Sequence, residues 1–289
     1  MTRIAYVNGR YVPHREAAVH IEDRGYQFSD GVYEVIYLHH GRFVDGEGHL
    51  ARLARSLAEL KIAWPMSRRA LAMVMDEVVR RNRVRDGILY LQITRGVAPR
   101  NHAFPKASDS ALVMTTRHLK FVDPTVASQG VSVITIKDIR WKRPDIKSVS
   151  LLPNVLGKQQ AEEAGAYEAW MIDDKGRVTE GTLSNAWIVT GKGEVVTRNV
   201  DGAILNGITR LAVLELARSE GLRFVERPFS VKEAKSAREA FATGTSCFVK
   251  PVIRIDDKPV ADGRAGPLTR KLMQYYADHI KQPAGMGAA

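Results

Sequence analysis

The chain holds one cysteine, Cys247, so an intramolecular disulfide is excluded and nothing argues against a reducing, cytoplasmic setting. No run approaches the roughly 18 apolar residues of a membrane-spanning helix. No apolar core of signal-peptide length follows Met1-Thr-Arg-Ile4. Internal repeats and low-complexity tracts are absent. Acidic residues are in deficit, 32 against 43 basic ones, which leaves a net charge of +11. Such a surplus raises the question of a nucleic-acid partner. The basic residues are scattered among acids, however, and the densest runs, Arg80-Arg81-Asn82-Arg83 and Lys142-Arg143, lack the aromatic interleaving of a single-strand binder. The charge is better suited to drawing in anionic small molecules, and neither a nucleic acid nor a membrane is expected as a partner.

What is present is enough chain, 289 residues, for two cores. Asn8-Gly9 between two short apolar runs predicts a hairpin over Ile4–Val12. Gly31–Leu38 reads as a strand that turns at His40-Gly41 into Arg42-Phe43-Val44. His49–Lys61 reads as a helix with Leu50, Leu53, Leu57 and Leu60 on one stripe, and Ser67 caps a second helix. Ile88–Thr94 and Ala111–Thr116 read as strands. After a stretch without period, strands are predicted at Val131–Ile136, Tyr167–Ile172, Val178–Glu180, Asn185–Val189, Glu194–Thr197, Ala240–Thr243 and Val249–Ile255. Helices are predicted over Leu156–Ala166 and over Gly207–Gly221, the latter with Leu211, Leu214 and Ala217 inward. Ser230-Val-Lys-Glu233 reads as a capping box, and Gly266-Pro267 opens a last helix. This mixture predicts an α+β protein of two domains, 1–120 and 131–289, joined by a linker at 121–130.

Chemistry is concentrated around Asp145-Ile-Lys147-Ser. A lysine in apolar surroundings has a lowered pKa and becomes a nucleophilic amine able to form a Schiff base with a carbonyl compound, pyridoxal phosphate (PLP) included. Glu180 lies thirty-three positions later, before Gly-Thr-Leu-Ser-Asn185. Asn206-Gly207-Ile208-Thr209 places N–H groups, a helix dipole and a hydroxyl at a helix start, which suits an anion. Thr243-Gly244-Thr245-Ser246 is a hydroxyl-rich loop whose glycine lets an anion approach. Arg52 lies one residue from the leucine stripe, so its head can turn toward an interior cleft, and guanidinium suits bidentate phosphate contact. A nucleophilic lysine, a carboxylate and three anion-binding elements match the needs of PLP, which is an aldehyde, a pyridinium nitrogen and a phosphate.

The pattern resembles the fold type IV aminotransferases and, within them, the D-amino acid aminotransferases. The matching segments run nearly end to end. They are Asp23-Arg-Gly-Tyr-Gln-Phe-Ser-Asp30-Gly-Val-Tyr33-Glu, His49-Leu-Ala-Arg52-Leu, Pro99-Arg100-Asn-His102, Asp145-Ile-Lys147-Ser, Glu180-Gly-Thr-Leu-Ser184-Asn, Asn206-Gly-Ile-Thr209-Arg and Thr243-Gly-Thr-Ser246. The resemblance implies a small α/β N-terminal domain, a larger barrel-like C-terminal domain and a homodimer with its site at the domain junction. It implies that Lys147 carries PLP and shuttles the proton, and that Glu180 pairs with the ring nitrogen. Arg52, Ile208, Thr209 and Thr245 would hold the phosphate, with Leu205 and Gly244 completing the cofactor set. Tyr33 would stand beside the cofactor, while Arg100 and His102, from the partner subunit's loop, would bind the substrate α-carboxylate. Leu183 and Cys247 depart from the bacillary pattern. Cys247 is expected as a small buried hydrophobe rather than a reactive thiol.

The implied reaction moves an amino group between D-amino acids, such as D-alanine or D-glutamate, and 2-oxo acids, such as 2-oxoglutarate or pyruvate. The same fold also serves branched-chain L-amino acid and (R)-amine aminotransferases and aminodeoxychorismate lyase. The Arg100 and His102 pair argues for the D-amino acid reading. A basic binding protein without catalysis would need none of the hydroxyl and glycine loops.

Overall fold

The structure is a computed structural model that describes residues 3–120 and 129–282. The linker expected at 121–130 falls outside the described residues up to residue 128, as does the tail beyond 282. The described chain divides into two compact units. The first takes residues 3–120 together with Ile146–Ser150, and the second takes 129–145 and Leu151–Gln282. The lysine segment thus packs with the first unit although the residues on both sides of it in the sequence belong to the second.

In the first unit, β1 (Ile4–Val7) and β2 (Arg10–Pro13) form the expected hairpin, with Asn8 and Gly9 both at positive φ. Then follow α1 (Arg24–Phe28), β3 (Gly31–His39), β4 (Arg42–Phe43), α2 (Gly46–Glu59), α3 (Arg68–Asn82), β5 (Gly87–Thr94) and β6 (Ala111–His118). Among the described residues the strands form one six-stranded antiparallel sheet in the order β2-β1-β6-β5-β3-β4. Alternation in β5 buries Leu89, Leu91 and Ile93, and these pack with Leu50, Leu53 and Leu57 of α2 and Leu71, Met75 and Val78 of α3. Ser67 caps α3 by accepting from the Ala70 N–H at 3.2 Å. The helix α2 begins three residues before the expected His49. The short α1 was not visible in the residue pattern.

The second unit runs β7 (Val131–Lys137), α4 (Leu152–Glu163), β8 (Glu168–Ile172), β9 (Val178–Gly181), β10 (Asn185–Val189), β11 (Val195–Thr197), α5 (Ile208–Ser219), β12 (Phe224–Glu226), α6 (Val231–Lys235), β13 (Glu239–Gly244), β14 (Phe248–Ile255), β15 (Lys258–Pro259) and α7 (Pro267–Lys281). Its described strands make a mixed nine-stranded sheet along β12-β11-β10-β13-β14-β7-β8-β9, with β15 beside β14. The last strand, β9, runs through the turn 182–184 directly into β10, third from the opposite end, so the sheet must curl back on itself. The curl makes this unit barrel-like. Its core includes Trp170, Ile188, Val196, Phe229 and Val252.

Two expectations need correction. The fourth helix starts at Leu152 rather than Leu156, because Pro153 sits in the first turn, where its missing N–H costs nothing. Leu211 is 42% exposed rather than inward. The start of α5 is instead buried through Ile208, Thr209 and Arg210, which no apolar stripe announces.

Candidate active site

In the first unit β3 organises the chemistry. Its neighbours Tyr33 and Glu34 project to opposite faces. The Glu34 carboxylate is fully buried and accepts from Arg52 Nε and Nη2, both at 2.8 Å. His49 Nδ1 lies 2.7 Å from Glu34 Oε2. The guanidinium of Arg52 therefore turns inward, as its place beside the leucine stripe suggested, but sequence reasoning missed the residue that turns it. Burial alone would push Glu34 up; Arg52 and the hydrogen bond from His49 outweigh it and hold the carboxyl at about 2. Burial, with the charges of Arg52 and Lys147, keeps His49 below its ordinary value despite Glu34, so at neutral pH it is uncharged and its Nδ1–H donates to Glu34. Because the folded value of Glu34 lies below the ordinary 4.5, its pairing stabilises fully above about pH 4.5 and is lost as pH falls toward about 2. Glu34→Gln should cost about 1.5–3 kcal/mol at neutral pH, the range for hydrogen bonds to charged groups. The deficit should shrink through that acid window when urea unfolding is followed against pH; a pH-independent deficit would contradict the pairing.

Lys147 is fixed along the free stretch of β3. Its carbonyl accepts from Tyr33 N at 3.0 Å, Val149 N donates to Gly31 O at 3.0 Å, and Ser148 bridges Val32. Its own N–H donates to Ser56 Oγ at 3.3 Å, one turn beyond Arg52 on α2. The half-buried side chain places Nζ 4.2 Å from the centroid of the Tyr33 ring. Lys147 is thus tied to β3, which carries Tyr33, and to α2, which carries Arg52.

Arg100 and His102 lie exposed on the long loop after β5, grouped elsewhere in the same unit. The Arg100 guanidinium is 4.6 Å from the Phe28 ring centroid, and the His102 ring 5.2 Å. Arg24, 3% exposed, holds the loop by donating to Asn101 O at 2.5 Å and His102 O at 3.4 Å. Asp30 anchors Arg24 at 2.8 Å and Arg95 at 2.7 Å. Burial would raise the Asp30 carboxyl, yet Arg95 and Arg24 keep it below the usual range. The segment Asp23–Asp30, which marked the resemblance, is the platform for this loop. Gly25 is required there, since a Cβ would stand 2.2 Å from the Thr94 methyl.

In the second unit Glu180 is the next-to-last residue of β9 and is buried. It accepts from Arg140 Nη1, from Asn185 Nδ2 at 3.0 Å and from Leu205 N at 3.1 Å. Asp138 grips Arg140 through Nε at 3.0 Å and Nη2 at 2.7 Å. Burial pushes the Glu180 carboxyl up to about 7, against the pull of Arg140 and the Leu205 N–H. Sequence reasoning missed Arg140 and Asp138; a charged Asp-x-Arg directly after β7 was the available signal. Asn185 also donates to Leu205 O at 2.9 Å and lies so close to Gly207 that a Cβ there would meet its Oδ1 at 2.1 Å. Gly207 is the N-cap of α5, and no side chain caps that helix. Ile208 and Thr209 form its first turn, Thr209 buried with Oγ1 3.4 Å from Tyr276 OH. The β13–β14 turn carries Gly244 and half-buried Thr245. A Cβ on Gly244 would stand 3.2 Å from both Leu183 O and Cys247 Sγ. Thr243 is otherwise engaged, accepting from Trp187 Nε1 at 2.8 Å. Below this turn buried Glu168 holds Leu183 N and Ser184 Oγ, each at 2.6 Å. Leu183 itself is 69% exposed. Cys247 is partly covered rather than wholly buried, and burial of its sulfur, with the Glu168 charge nearby, pushes the thiol up to about 12. At neutral pH it is therefore an unreactive thiol.

Comparison with known proteins bears on this arrangement. A family model described as amino-transferase class IV matches residues 31–255. The D-alanine aminotransferase of Bacillus licheniformis is 44% identical over 274 residues, covering 94% of this chain and 95% of the relative. The D-alanine aminotransferase of Listeria monocytogenes serotype 4b (strain F2365) is 39% identical over 282 residues, 96% of each chain. Among solved structures, the branched-chain amino acid aminotransferase from Thermobaculum terrenum in its PLP form superposes with a TM-score of 0.83 at 25% identity, covering 96% of this chain and 94% of that one. That likeness supports the fold type.

Proposed function

Because the chain belongs to the class IV aminotransferases, we propose that it transfers the amino group of D-amino acids to 2-oxo acids with PLP as cofactor. Three observations support a fit to PLP. Glu180 is a buried carboxyl held by Arg140, Asn185 and the Leu205 N–H. An uncapped helix start lies at Gly207–Thr209. A Cβ on Gly244 would be tightly placed, 3.2 Å from Leu183 O. The PLP form of the Thermobaculum terrenum enzyme supports the same cofactor. On this reading Lys147 would carry PLP, Glu180 would face its ring nitrogen, and Arg52, Ile208, Thr209 and Thr245, beside Leu205 and Gly244, would hold its phosphate. Bound PLP supplies an aldehyde for amines and a ring that takes up the electron pair left at Cα.

The residues divide the work. Lys147 Nζ takes the Cα proton of the amino acid and later gives a proton back, base and then acid. Tyr33 limits the positions open to that amine. Glu180 would accept a hydrogen bond from the protonated ring nitrogen of bound PLP. Arg100 and His102 hold the α-carboxylate and so choose which Cα hydrogen faces Lys147. This pair, fixed by Arg24, is the observation that carries the D-amino acid reading, and the D-alanine aminotransferase relatives support it. Chiral chromatography after incubation with D-alanine and 2-oxoglutarate should show D-glutamate, whereas L-glutamate made from L-leucine, with no D-glutamate, would overturn the reading.

Glu180→Gln should retain PLP but slow proton abstraction about 10²-fold, as for a lost acid–base or electrostatic contribution. Unchanged stopped-flow half-reaction rates would remove Glu180 from the mechanism. The same reading includes a homodimer, since an exposed Arg100 loop suits service in a second copy's site; light scattering showing an active monomer would contradict it. A cytoplasmic setting belongs to the reading too, resting on the single cysteine. Fractionation that finds the enzyme outside the cytoplasm would refute it. No described helix is long and apolar enough to cross a membrane.

A further inference from the structure

At the far end of β3 from Tyr33, three side chains with metal-ligand chemistry meet. His39 ends the strand, His40 opens the turn to β4, and Asp86 precedes β5. One ligand atom from each can be chosen so that all lie within 4.8 Å of one another. His39 Nδ1 is 2.8 Å from Asp86 Oδ1, and the His40 N–H donates to the same oxygen at 3.2 Å. The His39 and His40 rings lie with centroids 4.1 Å apart.

The backbone beneath them is tightly tied. Leu38 pairs with Gly87 in the β3–β5 ladder, and Gly41 N donates to Arg85 O at 2.6 Å. His40 and Gly41 have φ of +50° and +80°, the geometry of a two-residue turn whose first place suits asparagine or glycine. The left-handed backbone at His40 sets its ring against that of His39. His39 is 6% exposed and held, while His40 is exposed and free to swing.

We propose that His39, His40 and Asp86 form a binding site for a single borderline divalent cation of the Zn²⁺ class. Two imidazoles and a carboxylate favour Zn²⁺, Ni²⁺ or Cu²⁺ over Mg²⁺ or Ca²⁺, which take oxygen ligands. A tetrahedral ion with bonds of about 2.0–2.1 Å sets its ligand atoms about 3.3 Å apart. The closure needed from 4.8 Å is therefore about 1.5 Å at most, within reach of a swing of His40. The ion would replace the proton between His39 and Asp86, with water as fourth ligand. The site clamps the β3–β4 turn to the segment leading into β5.

Isothermal titration of the PLP-loaded protein with ZnCl₂, beside its His40→Asn and Asp86→Asn variants, tests this. Asparagine keeps the left-handed turn while removing the imidazole, so His40→Asn should fold and keep full aminotransferase activity. The wild type should bind one Zn²⁺ per chain at this site, and each variant should bind it at least about 10-fold more weakly, the lower end of what even outer-shell changes cost. MgCl₂ should give no comparable binding. Zn²⁺ should also raise the melting temperature of the wild type and not of the variants. Equal Zn²⁺ binding by all three proteins, or no stoichiometric binding by the wild type, would overturn the proposal.

Discussion

Replacing Lys147 by alanine is expected to abolish turnover, lowering kcat by at least about 10⁴-fold, the upper end of what a positioned acid–base group contributes alone. The loss should be chemical rather than structural. Lys147 is tied to the fold through its backbone, by its N–H to Ser56 and its carbonyl to Tyr33, and alanine keeps both bonds. Only the amine over the Tyr33 ring disappears. Circular dichroism and melting temperature should therefore stay close to wild type while activity vanishes. Borohydride reduction of the wild type followed by peptide mapping should place the pyridoxyl group on Lys147. A label on Lys158, whose amine is engaged with Glu162 and Tyr167 O at 3.1 and 2.9 Å, would refute the assignment.

Arg100→Ala should cost about 2–4 kcal/mol of transition-state binding for D-alanine, or roughly 30- to 1000-fold in kcat/KM. A carboxylate entering a closed site loses its hydration and needs a cation to offset that loss. Guanidinium meets it with two parallel N–H···O bonds, and His102 adds a donor. Arg100 is an exposed residue resting on Phe28, while the load of the loop falls on Arg24, Asp30 and Arg95. The substitution should therefore leave the fold alone. An amine without a carboxylate, such as (R)-1-phenylethylamine, should lose little or gain. Equal loss on both substrates would make Arg100 structural and would return weight to the amine or branched-chain reading.

Much of this molecule could be read from residue order because its signals are local. Asn8-Gly9 carries its own hairpin, Ser67 its own cap, and the leucines of α2 their own stripe. The lysine, the glutamate and the glycine-and-hydroxyl loops stand out because their types and spacing suit one cofactor. What escaped was the second layer. Glu34 to Arg52, Arg140 to Glu180, and Arg24 to the carbonyls of the Arg100 loop are contacts of charged side chains with groups 18 to 78 positions away, and no periodicity announces such a pairing. Pro153 misled because it reads as a breaker but serves as a helix start. The Lys147 segment reads as a loop, and only the fold shows it laid along β3.

Amino transfer on D-amino acids by Lys147 and its surroundings can be followed in the visible spectrum of the purified PLP-loaded protein. The protein should be yellow, and mixing with D-alanine in the absence of any 2-oxo acid should bleach that colour, which 2-oxoglutarate should then restore. L-alanine at the same concentration should leave it unchanged. Bleaching by L-alanine but not D-alanine would contradict that reading.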